Sequence, residues 1–127
     1  HPRSLFVIPG AARPLDVSQV NSKLINKTIS FLKNEFDYTV AVLPPVNDAG
    51  WAGAILCDMV CCVFKPDRAD LDCCGDILEL LFRLGCGGRV KVILNQCKAP
   101  GALLEEEVVE ILKPDLKIQY DPALRSM

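Results

Sequence analysis

The sequence predicts an α/β fold: a three-layer α/β/α sandwich around a mostly parallel five-stranded sheet, in the order β-α-β-α-β-α-β-α-β. Three observations carry this. Short apolar runs rich in β-branched residues alternate with longer stretches of helical periodicity. Nearly every run stops on proline, glycine or a polar turn. Strands alternating with helices in this way pair in parallel through right-handed crossovers. The most informative run is Phe36-Asp37-Tyr38-Thr39-Val40-Ala41-Val42-Leu43-Pro44-Pro45. Its continuous apolar character reads as a strand over 38–43, buried on both faces in the middle of the sheet. The two prolines end its ladder and turn the chain at the edge where α/β proteins place ligands.

In chain order, Leu5-Phe6-Val7-Ile8-Pro9-Gly10 reads as a first strand and turn. Asp16 can cap a helix, with Gln19 three residues on as its capping-box partner. Val17, Val20, Leu24, Thr28, Phe31 and Leu32 then recur at threes and fours, which predicts an amphipathic helix over 17–35. After strand 38–43 comes a short helix over 49–56. Met59–Phe64 is the third strand, closed by Lys65-Pro66. Asp67 caps a helix over 68–84 whose stripe is Leu71, Cys74, Ile77, Leu78, Leu81 and Leu84, and Gly85 falls where a left-handed cap belongs. Arg89–Leu94 is the fourth strand, running into Asn95-Gln96. A helix over 102–112 opens on Glu105, Glu106 and Glu107, where the helix dipole favours acids. Leu116–Tyr120 is the last strand, ended by Asp121-Pro122.

Bulk properties narrow the function classes. A chain of 127 residues with net charge −2 predicts one domain with a sizeable core. Its 14 Lys+Arg are scattered among 16 acids, so nothing points to nucleic acid. No apolar run reaches the ~18–20 residues of a membrane span. No secretory leader is visible, and a start at His1 suggests a fragment of something longer. Seven cysteines, an odd number, argue against a disulfide framework and for a reducing cytoplasmic location. The adjacent pairs Cys61-Cys62 and Cys73-Cys74 are poor zinc ligands, because neighbours on a strand point to opposite faces. The simple reading is small thiols used as core residues.

The strand ends hold no complete catalytic set. Neither a GxxxxGK[ST] phosphate loop nor a GxGxxG fingerprint occurs, and His1 is the lone histidine. Asp48, after Pro44-Pro45, is the one acid placed near a ligand edge, and a helix cap is its simpler role.

Residues Phe36–Pro45 resemble the Walker B region of the MinD/ParA family of deviant Walker A ATPases: aromatic-Asp-Tyr, a hydrophobic strand, then Pro-Pro. The likeness continues in Ala49–Asp58, in the helix over Asp67–Leu84, in Val92-Ile93-Leu94-Asn95-Gln96, and in Tyr120-Asp121-Pro122-Ala123-Leu124-Arg125. Ile77–Gly85 and the later helix look most like the CpaE/TadZ branch, which localises pilus-assembly machinery in bacteria. The resemblance implies that Asn95, Gln96, Asp121 and Pro122 lie on the adenine side of a nucleotide site, with ATP and Mg²⁺ as cofactors of a longer relative and none held by this chain. Two departures stand out. The phosphate loop and its strand are missing, and the Walker B aspartate aligns with Val42, which cannot orient a Mg²⁺ shell. Either the protein is a degenerate, non-hydrolysing member, or the alignment is displaced by a residue or two.

The leading expectation is therefore a non-catalytic localisation or assembly domain with protein partners. The alternatives are half of an active ATPase and a small α/β interaction module without nucleotide. In the family the missing strand lies beside the Walker B strand inside the sheet. Its loss predicts unpaired edges and a sheet that repacks or pairs with a second copy as a homodimer.

Overall fold

The computed structural model describes residues 5–8, 21–43 and 48–126. The chain divides into two compact units, His1–Gly53 and Ala54–Met127.

In the first unit, α1 spans Ser22–Glu35. It begins later than the sequence suggests because Asn21 is its cap, its Oδ1 accepting from the Leu24 N–H at 2.9 Å. Asp16 and Gln19, the expected capping pair, lie outside the described residues, as do Pro9-Gly10 and Pro44-Pro45. Ile29 is buried on α1, with Ile25 and Leu32 half-buried on the same stripe. The helix α2 covers Asp48–Leu56, close to expectation. Its Gly53 is buried, and an added Cβ there would meet Leu43 Cδ2 at 2.9 Å and Ile25 Cγ2 at 3.2 Å.

The second unit is an α/β module. The strands β1 (Val60–Phe64), β2 (Val90–Cys97) and β3 (Leu116–Gln119) pair in parallel in the order β1-β2-β3. The helix α3 (Arg68–Arg83) links the first two and α4 (Glu105–Val109) the last two. One cluster joins Phe64, Val92, Leu94 and Cys97 of the strands to Leu71 and Cys74 of α3 and to Val108 of α4 and Leu112 after it. Both helices therefore pack on one face, as two like-handed crossovers running the same way across a sheet require. Lys117 sits on that face too, opposite Leu94, and its Nζ reaches Glu105 of α4 at 3.6 Å. The other face shows Cys61, Val63, Leu116 and Ile118 to solvent, with Ile93 and Asn95 half-buried.

Among the described residues three parallel strands form where five are expected. Residues 5–8 and 38–43 carry the composition of strands and yet lie in no helix or strand. Tyr38, Val40 and Val42 are 93%, 92% and 97% exposed. A strand is defined by its neighbour, and neither run has a ladder partner among the described residues. Composition sets the preference and pairing decides the outcome. Two smaller differences follow local chemistry. β2 runs on through Asn95 and Gln96 to Cys97, and α4 is shorter than 102–112, starting where Glu107 Oε2 accepts from the Leu104 N–H at 3.3 Å.

The ends of α3 are as written in the sequence. Asp67 Oδ1 accepts from the Asp70 N–H at 2.8 Å. Gly85 takes φ +86°, its N–H donating to Phe82 O and the Cys86 N–H to Leu81 O, which is a Schellman stop. Leu94 is 1% exposed in the middle strand. Leu94→Ala is expected to destabilise the chain by ~2–5 kcal/mol in urea denaturation, whereas Ile118→Ala on the open face costs under about 1 kcal/mol.

Candidate functional site

Parallel α/β sheets bind ligands beyond the carboxyl ends of their strands, so the ends of β1, β2 and β3 form the candidate site. Beyond β1, the Lys65 N–H donates to Asp70 Oδ2 at 2.7 Å, while Asp70's own N–H is held by Asp67. Asp70 thereby fixes the turn from strand into α3. Lys65 Nζ lies 3.7 Å from Asp67 Oδ2, an exposed pair worth ~0–1 kcal/mol.

Beyond β2 the backbone changes character. Leu94 pairs with Lys117 and Cys97 with Gln119, so β2 carries one residue more than β3 in this interval, a bulge at Asn95-Gln96. Gln96 and Lys98 adopt φ of +59° and +65°, left-handed conformations uncommon outside glycine. Asn95 Oδ1 accepts from the Gln96 N–H at 2.9 Å and supports the bulge. The loop then returns through Pro100-Gly101, and the Leu103 N–H donates to Pro66 O at 2.8 Å, joining the loops that follow β1 and β2. Between them is a crevice of about 120 Å³, lined by Lys65, Pro66, Asp67, Gln96 and the 99–102 turn. Ligand pockets run from ~300 Å³ upward, so this crevice has room for a few waters or a small ion and not for a nucleotide base with its sugar.

Asn95, Gln96, Asp121 and Pro122 all fall on this edge. Gln96 is exposed and lines the crevice. Asn95 is half-buried, with its side-chain oxygen given to the bulge. Asp121 and Pro122 are exposed beyond β3, and Asp121 Oδ1 accepts from the Ala123 N–H at 2.9 Å. Neither Asp121 nor Pro122 lines the crevice. The Asp48 side chain lies outside the described residues.

Three contributors were not legible in the sequence. Asp70 fixes the β1 exit, and its spacing from Asp67 was the available signal. Asp115 Oδ2 accepts from the Val92 N–H at 2.8 Å while its own N–H donates to Val92 O, tying the approach to β3 onto β2. Arg89 donates to Cys57 O at 2.7 Å, to Ile55 O at 3.2 Å and to Cys86 Sγ at 3.4 Å, clasping the carboxyl end of α2. In the first unit a wider hollow of about 370 Å³ follows α1, lined by Ser22, Lys23, Asn26, Lys27 and Ala52.

None of the seven cysteines is joined in a disulfide: Cys74, Cys86 and Cys97 are buried, Cys57 and Cys62 half-buried, Cys61 and Cys73 exposed. The core-thiol reading thus describes five of them wholly or partly. Among the described residues no group of three or more His, Cys, Asp or Glu side chains is gathered for a metal ion, and no helix is long and apolar enough to cross a membrane. No family model, curated protein or solved structure matches this chain.

Burial, followed by the neighbouring thiols of Cys61 and Cys86, pushes the Cys62 thiol above its ordinary value of 9.0. Burial, with Cys73 beside it, pushes Cys74 the same way. The folded state therefore holds these thiol protons more tightly than the unfolded state does. Their contribution is complete below pH 9 and is lost as pH rises through the folded values, so urea midpoints should fall from pH 8 to pH 10.5 and fall less in Cys62→Ala/Cys74→Ala. Asp70→Ala should cost ~1–2 kcal/mol in the same assay, because it frees the Lys65 N–H as well as unsettling the start of α3.

Proposed function

We propose that this chain is a non-catalytic, MinD/ParA-like domain of the CpaE/TadZ kind, acting in localisation or assembly through protein contacts, homodimerisation among them, in the bacterial cytoplasm. One observation carries the reading. Among the described residues, the outer edge of β1 has no ladder partner, and neither has the strand-like run 38–43. In the family that this chain resembles, the strand matching 38–43 lies inside the sheet with a neighbour on each side, so a run of this composition without a ladder partner asks for another strand. The complete fold in this reading is the three-layer sandwich with five strands. The exposed face of β1–β3 supports a further layer, since parallel sheets are ordinarily covered on both sides.

The chemistry of the ligand edge supports the non-catalytic half of the proposal. Val42 offers no oxygen to a Mg²⁺ shell. Asn95 and Asp121 spend side-chain oxygens on neighbouring backbone N–H groups, and the crevice beside Gln96 is too small for a nucleoside. The exposed thiols of Cys61 and Cys73 suit a reducing compartment.

A second reading, half of an ATP-binding ATPase, draws on the bulged, left-handed Gln96 turn, since bulges often re-aim side chains beside active sites. A titration of the chain with a fluorescent ATP analogue and Mg²⁺ separates the two. The scaffold reading expects no saturable binding up to millimolar nucleotide. Saturable binding that Asn95→Ala weakens tenfold or more overturns it in favour of the ATPase reading.

A further inference from the structure

We propose that a second copy of this chain lays its residues 38–43 along the outer edge of β1 as an added antiparallel strand, and that two copies do so reciprocally. This deepens the protein-contact reading above by naming the partner and the surfaces, and it relies on that reading only for there being a partner.

The two surfaces suit each other. β1 is Val-Cys-Cys-Val-Phe, without the lysine, proline or bulge by which proteins guard an exposed edge. The opposite outer strand, β3, is guarded: it is four residues long, carries Lys117, and meets its neighbour through a bulge. The run Tyr38-Thr39-Val40-Ala41-Val42-Leu43 is aromatic and β-branched, and its period-two set Tyr38, Val40 and Val42 is more than nine-tenths exposed. Among the described residues each lacks a ladder partner, and each sets apolar side chains beside its backbone, which is the basis of strand addition.

Charge selects the direction. Neither segment is charged within itself, but Asp37 precedes one, and β1 is flanked by Asp58 before it and Lys65 after it. An antiparallel strand brings Asp37 to Lys65, whereas a parallel one brings it to Asp58. Area favours reciprocity. Burying Tyr38 alone removes roughly 150–250 Å² from water, and with Val40, Val42 and the edge they meet, two exchanges approach the ~1,600 Å² of a standard interface.

Light scattering on the eluting chain from 1 to 200 µM tests this, and the nucleotide titration, which is indifferent to oligomeric state, tells its failure from that of the scaffold reading. A dimer is expected. Thr39→Pro and Val40→Pro together remove N–H groups on both sides of the run, so at least one of them should yield a monomer with unchanged far-ultraviolet circular dichroism. That monomer keeps its β1 edge open and should bind the synthetic peptide Asp37–Leu43, with added strand signal in the infrared amide band. Asp37→Lys should weaken the dimer several-fold, and Lys65→Asp in the same chain should restore it. A wild-type monomer at every concentration overturns the proposal. So does a dimer that survives both proline variants, a monomeric variant that ignores the peptide, or a charge swap that fails to rescue.

Discussion

The second unit depends on β2. Among the described strands it is the one with ladder partners on both sides, and its Val92, Leu94 and Cys97 form the floor on which α3, α4 and Phe64 rest. Each fully buried side chain of this kind contributes ~1.5–3 kcal/mol of transfer free energy, comparable with the whole net stability of a marginal domain when a few are combined. The polar devices around β2 are individually smaller and act by direction. The Schellman stop at Gly85 sends the chain back toward the sheet, and Asp115 holds Val92 from the β3 side. Burial supplies the magnitude, and these hydrogen bonds supply the register.

The same strand makes the ligand edge unusual. Up to Leu94, β2 is committed to the core through regular alternation. One residue later it bulges, and Gln96 and Lys98 enter left-handed conformations within three positions. Such residues cost of order 1 kcal/mol or more unless the surroundings over-determine them. Here they are held by the Asn95 side chain and by the closure of the loop onto Pro66. The same closure brings the 99–102 turn beside Pro66, where both line the crevice. The crevice left at this edge is narrow, about 120 Å³.

What the sequence made legible was what local chemistry decides. The boundaries of α3 follow from Asp67 and Gly85, each acting within a turn, and α2, β1 and β3 fall within a residue or two of their patterns. The class of fold follows from alternation alone. What stayed hidden required distant partners. Tyr38–Leu43 has every compositional mark of a central strand, yet a strand needs an edge to pair with, and no pattern within eight residues reports whether one is present. Gln96 is another case, since glutamine carries no signal for a left-handed bulge. Asn95 and Asp121 lie toward the carboxyl ends of β2 and β3, but which hydrogen bonds consume their oxygens depends on turns formed by other residues.

Within the second unit an edge and a face have no partner among the described residues, and they differ in what they ask of one. The open face, with Cys61, Val63, Leu116 and Ile118, is apolar and non-directional; any surface of suitable shape that excludes water from it gains free energy in proportion to area. The outer edge of β1 is directional. Its backbone groups lose little while water reaches them, but a partner covering them without pairing leaves each at a cost of ~1–3 kcal/mol. A helix or an irregular loop over this edge is therefore penalised residue by residue, while a strand satisfies the whole row at once. Specificity at the edge thus comes from backbone geometry before any side chain is read. Only the sign of charge at the two ends, Asp58 before the strand and Lys65 after it, remains to set the direction in which a partner lies.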